Sequence, residues 1–215
     1  MLENRIRSIR MRMVAAAVDL VNTVAYGEGM AKNEALGRED WIRAGTEALA
    51  SGGLAAVRVE ALARALGVTK GSFYWHFANR GAWVEAMLEA WEQRQTLSVI
   101  EQVEQEGGDA RARLEALARL ASLDSDDDYR VEMALRDEAR RNPEIAAFVE
   151  RVDERRMGYL RQLFGDLGYG ELETEARSLL AYSLLIGDYF IAPSPGAPDR
   201  RDVLRACRNL LFESP

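Results

Sequence analysis

The chain contains a single cysteine, Cys207, and a single histidine, His76, among its 215 residues. One cysteine excludes an internal disulfide framework and suits a reducing compartment, so a cytoplasmic location is expected. The two scarcities also remove most metal sites and the usual Ser-His and Cys-His constellations, which leaves carboxylates as the only resource for an enzyme. No paired acids on a shared inward face are evident, and neither catalysis nor a cofactor is expected. Apolar runs fall short of the roughly 20 residues that span a bilayer, so no membrane partner is expected. Five prolines and few β-branched runs lean toward helix, in a chain that is 48% hydrophobic and 29% charged.

The net charge of -7 argues at first against a nucleic-acid partner. Its distribution argues otherwise. Residues 37–83 carry six Lys/Arg against four Asp/Glu, whereas residues 84–215 carry 17 against 27. A mildly basic head on an acidic body suits a protein that touches DNA with one end.

Residues 1–36 read as an extension. Four arginines precede an apolar stretch in the manner of a secretory signal, but Asp19 and Asn22 interrupt it. An amphipathic helix or arm, or a start at Met30, is the expected reading. From residue 38 the pattern is helical almost throughout. Trp41, Ile42, Ala48 and Leu49 mark a first helix ending at Gly52-Gly53, and Val59, Leu62, Ala63 and Leu66 mark a second, closed by Gly67 as a left-handed cap. Thr69 is placed to cap a short third helix. A long helix is expected from about residue 79 to 105, followed by segments near 109–122, 127–141, 143–165, 171–191 and 199–212.

Between the second and third helices lies "GVT", a turn of helix-turn-helix length. The second helix of such a pair enters the major groove, where donors must reach base edges while other groups hold phosphates. The stretch "GVTKGSFYWHFANR" supplies both kinds. Thr69 and Ser72 offer hydroxyls, Lys70 a charge, Gly71 room for close backbone approach, and Tyr74, Trp75 and His76 polar-tipped rings. Phe73 and Phe77 belong inside. Arg58 and Arg80, at the starts of the flanking helices, are candidate phosphate clamps. Singly, Trp75 or His76 would be read as packing residues; the combination in this register is what points to DNA.

The segment "VRVEALARALGVTKGSFYWHFANRGAWVEAML" resembles the DNA-binding head of the TetR family of bacterial transcriptional regulators, over about residues 38–90. The resemblance implies an all-α fold: a three-helix head joined by a long fourth helix to a ligand-binding bundle whose last two helices form a homodimer. It implies DNA contacts at Lys70, Gly71, Ser72, Tyr74 and His76, with Arg80 where the family usually has lysine. Two departures stand out. Arg58 sits where the family often caps with threonine, and Gly81 replaces a helix former at a cost of about 1 kcal/mol relative to alanine. The expected organisation is an extension over 1–36, a helix-turn-helix domain over 37–83, and a ligand-binding and dimerisation domain over 84–215.

The body is less explicit. "ELETEARSLLAYSLLIGDYFIA" is apolar nearly all round, and the last helix carries an apolar stripe, so Leu180, Leu184, Val203, Cys207, Leu210 and Leu211 are expected in a dimer interface. Candidate ligand-binding residues are Trp91, Met133, Phe148, Arg156 and Tyr159. Arg156 falls on an apolar helix face, where it either meets a carboxylate-bearing effector or pairs with an acid such as Glu138. "DSDDD" at 124–128 lacks the glycine and terminal glutamate of a calcium loop. The expected activity is that of a ligand-responsive repressor, a homodimer on a pseudo-palindromic duplex. A non-DNA-binding all-α small-molecule or protein-interaction module is the alternative.

Overall fold

The computed structural model describes residues 36–121, 126–188, 190–191 and 196–212, so all but the last residue of the expected extension and the first two residues of the acidic run at 124–128 lie outside the described residues. Every regular element described is helical. In order they are α1 (Arg38–Gly52), α2 (Val59–Ala65), α3 (Lys70–His76), α4 (Arg80–Glu92), α5 (Ser98–Glu106), α6 (Ala110–Leu120), α7 (Asp126–Ala139), α8 (Pro143–Asp166), α9 (Glu171–Gly187) and α10 (Arg200–Leu211).

Local chemistry sets most of the boundaries. The Asp40 carboxylate accepts from the Gly37 N–H at 3.0 Å to start α1, and the Asn79 side chain accepts from the Ala82 N–H at 2.9 Å to start α4. Pro143 opens α8 behind Asn142, whose side chain accepts from Glu144 and Ile145. Gly67, at φ 69°, ends α2. There the Val68 N–H reaches Ala63 O and the Gly67 N–H reaches Arg64 O, the doubled bond pattern of a left-handed terminus. The segment expected as one helix over 79–105 is interrupted: Gln93–Leu97 is a π-helical turn between α4 and α5. The ninth helix stops at Gly187 rather than running to 191.

Two apolar clusters hold the described body together. One joins α1 to α4 with α7 and the first half of α8, through Trp41, Phe73, Phe77, Trp83, Trp91, Val131, Leu135 and Phe148. The expected boundary at 83/84 therefore falls inside α4, within a shared core. At its head end Trp41, Phe73 and Trp83 meet edge to face at 5.3–5.9 Å, and the Trp83 indole N–H donates to Trp41 O at 2.9 Å. The second cluster packs α5 and α6 on the last turns of α8 and on Phe212.

Candidate nucleic-acid interface

The short helix α3 owes its orientation to Phe73 and Phe77. Both are buried and stack at 5.3 Å, and their i, i+4 spacing turns the rest of the helix outward. Tyr74 is 53% exposed and Trp75 88% exposed. Two adjacent large rings this bare offer a surface for a partner to cover. Lys70 and Gly71 are exposed, while Ser72 and His76 are half-buried on the same element.

Three details refine the expected roles. Thr69 is the N-cap of α3, yet its side chain makes no capping bond. Gly71 needs no room within the chain, since a Cβ there would meet only Thr69 Oγ1 at an ordinary 3.5 Å. Its bareness leaves space outward instead. Lys70, the only lysine among the described residues, holds Glu60 of α2 at 2.5 Å. That bond raises the Lys70 pKa and lowers the Glu60 pKa, so both stay charged at neutral pH.

The flanking arginines differ. Arg58 is the exposed N-cap residue of α2 and makes no capping bond with its side chain. Arg80 turns back on the chain, donating from Nε to Val57 O and from Nη2 to Leu54 O, both at 2.7 Å. It braces the start of α4 against the turn before α2. Sequence spacing gave no sign of this, because the acceptors lie 23 and 26 residues away.

The body holds a cavity of about 1300 Å³, walled by the π-turn, α5, α6, α8, α9 and α10. Of the five residues expected to bind a ligand, Arg156 and Tyr159 line it. Trp91 and Phe148 instead pack against each other in the first core cluster, ring centroids 5.9 Å apart, and half-buried Met133 is not among the lining residues. All three were singled out for size and spacing, which mark core as readily as pocket. Arg156 pairs with Glu132 at 3.0 Å, not with Glu138, which binds Arg141. It also donates to Thr96 Oγ1 at 2.9 Å and to Gln95 O at 3.4 Å, and so grips the π-turn.

Around that arginine lies a balanced polar cluster. Arg136 forms a fork on Asp153 at 2.7 and 3.0 Å and also reaches Glu132 at 2.8 Å. The Tyr182 hydroxyl donates to Asp153 at 2.5 Å. Two guanidiniums thus face two carboxylates, which is what allows charges to stand so far from water. Burial pushes the Tyr182 phenol up to about 12, with the Asp153 bond adding to it, so it remains a donor at all ordinary pH. Tyr159 donates to Glu104 at 2.6 Å and is raised further for the same reasons, burial first. Nearer the head, Glu92 in the last turn of α4 is buried and bound by Arg151, at 3.0 Å, and by Arg155. Three successive contacts therefore tie α8 to the helix that leaves the head.

Of the residues expected at a dimer interface, Leu180 and Leu210 are 59% and 65% exposed. Leu184 and Leu211 line the cavity, and Val203 and Cys207 are half-buried.

Among the described residues there is no metal-binding cluster, and no helix is long and apolar enough to cross a membrane. Among curated proteins none matches the chain. Several solved structures share its fold. A transcriptional regulator from Rhodococcus sp. Rha1 is 23% identical with a TM-score of 0.62, over 82% of this chain and 94% of that one. A TetR-family transcriptional regulator from Rhodococcus sp. is 21% identical with a TM-score of 0.57, over 82% and 98%. The ketosteroid transcriptional regulator KstR2 of Mycobacterium tuberculosis is 17% identical with a TM-score of 0.61, over 85% and 96%. Residues 42–87 match the model of the bacterial regulatory proteins of the tetR family, a span that takes in most of α1, the helix-turn-helix and the first turns of α4. Over residues 42–87 the chain thus carries the head of the bacterial regulatory proteins of the tetR family, which supports a DNA-binding role in transcription regulation.

Proposed function

We propose that the protein is a ligand-responsive repressor that binds a pseudo-palindromic operator as a homodimer. Residues 37–83 are its DNA-reading head, and residues 84–215 bind the effector and the second subunit. The observation that carries the reading is the outward face of α3, where Lys70, Gly71 and the rings of Tyr74 and Trp75 are all exposed. Thr69, Ser72 and His76 complete the face, Arg58 meets phosphate, and Arg80 acts by bracing the start of α4 beside it. Leu179, Leu180 and Leu210, large and exposed on α9 and α10, support a second copy as the cover of that side. Two heads related by the dyad would read successive major grooves about one turn apart.

The cavity is the effector site of this reading. Its π-turn wall lies on the helix running from the head, so a ligand that favours one arrangement of Arg156, Thr96 and Gln95 biases the position of α4. Only unequal affinity for two arrangements can do this, and a coupling of about 1–3 kcal/mol is typical. The test is duplex binding measured against salt for the wild type, Lys70→Ala and Tyr74→Ala, with subunit mass followed by light scattering. The reading expects steep salt dependence and clear weakening in both variants with the dimer intact. Unchanged affinity in both variants would defeat it, and binding to no duplex would favour the small-molecule or protein-binding alternative.

A further inference from the structure

The cavity walls carry a charge that the rest of the chain does not. Six arginines line them against three carboxylates, in a chain whose net charge is -7. Three of the six are already engaged: Arg156 by Glu132, Arg119 by Glu106, and Arg200 by Asp188. The others, Arg201, Arg205 and Arg208, follow each other at spacings of four and three on α10 and so share one helix face. Arg205 meets Asp202 at the exposed edge. Neither Arg201 nor Arg208 makes an ion pair with any described residue. The same walls carry five leucines, Leu114, Leu117, Leu160, Leu185 and Leu204, beside polar groups such as Thr96 and Tyr159.

A chamber with leucine-rich walls and two guanidiniums that pair with no described residue sorts ligands by two properties at once. The apolar walls reward a body without hydrogen-bonding groups. The guanidiniums, planar and always charged, reward a carboxylate or phosphate that accepts two parallel N–H bonds. A neutral apolar molecule would leave the arginines with water, and a cation would be repelled. The volume exceeds the roughly 300–1000 Å³ of an ordinary small-molecule site, which favours a bulky body over a bare anion.

We propose that the cavity binds an amphipathic anion, its apolar body against the leucines of α6, α8, α9 and α10 and its carboxylate or phosphate head on Arg201 and Arg208. The inference rests on the reading of this cavity as the effector site, but its test needs no DNA. Decanoate, decyl phosphate and decan-1-ol are titrated by calorimetry into the full chain and into Arg201→Gln/Arg208→Gln. At least one anionic probe binds the wild type about tenfold or more tightly than the alcohol, and the double variant loses that preference while holding the alcohol as before. Preference for decanoate identifies a carboxylate head, and preference for decyl phosphate a phosphate head. Equal affinity for all three probes, a preference that survives the double substitution, or no binding of either anion at millimolar concentration overturns the proposal. Neither arginine pairs with a described residue, so the double variant is expected to melt with the wild type; should it melt lower, Arg201→Gln alone applies the same test at an exposed position. If the anion binds as described and duplex affinity does not change, the cavity's ligand class stands and the effector reading fails.

Discussion

Replacing Gly45 with alanine puts a methyl group where α1 crosses α4 with no gap. A Cβ at this position would lie 2.5 Å from Met87 Sδ and 2.7 Å from Trp83 Cζ2, far inside contact distance. Trp83 has little freedom to retreat. Its ring is fully buried, stacked edge-on against Trp41 and Phe73, and pinned by its N–H bond to Trp41 O. Met87 is the softer neighbour, although it too is buried. Overpacking a filled core costs about 1–3 kcal/mol, and two simultaneous collisions argue for the upper end. Alanine returns about 1 kcal/mol of helix propensity, which leaves a net loss of about 2 kcal/mol. For a domain of this size that lowers the melting temperature by roughly 4–8 °C. Thermal unfolding followed by circular dichroism reads the shift directly. Shortening the first collider in Gly45→Ala/Met87→Val should cost less than the sum of the two single variants. A melting temperature equal to or above that of the wild type in Gly45→Ala would refute the close-crossing argument, because propensity alone would then have decided the outcome.

Two further expectations concern charge. Glu60 places a carboxylate beside the outward face of α3 and occupies Lys70, so Glu60→Gln should bind any duplex several-fold more tightly at low salt by fluorescence anisotropy; equal or weaker binding would place the pair away from phosphate. Burial raises the Asp153 carboxyl, but the hydrogen bonds from Arg136 and Tyr182 and the nearby guanidinium charges outweigh it and hold its pKa below the ordinary 3.8. A lowered folded-state pKa contributes stability above the unfolded value and loses it as pH falls through the folded one. The melting temperature should therefore drop as pH falls below about 4, and drop less steeply in Asp153→Asn; parallel curves would contradict the role of this cluster.

What could be read from the sequence was local. The inward pair Phe73 and Phe77 follows from helical spacing, the left-handed Gly67 from its place after an apolar stripe, and the start of α8 from Pro143. Features set by distant partners could not be read. The apolar stripe of α4 lapses over the polar residues 93–96, but such a lapse does not specify a π-turn, and only its engagement by Arg156 of α8 shows its position in the wall. Arg156 was legible as a buried cation needing an acid, but Glu132 and Glu138 share one helix, α7, and only packing decides between them. The cavity arginines of α10 did leave a signal: Arg201, Arg205 and Arg208 form a cationic stripe distinct from Val203, Cys207 and Leu210. Attention to the apolar stripe alone passes over it.

The central claim is that the exposed side of α3 reads base edges, twice per dimer. Selection of bound duplexes from a random library by the purified protein tests it most directly. The account predicts enrichment of a two-fold symmetric sequence with half-sites about one helical turn apart, and no such enrichment by the Tyr74→Ala variant. Recovery of no shared sequence, or of the same sequence by both proteins, would contradict it.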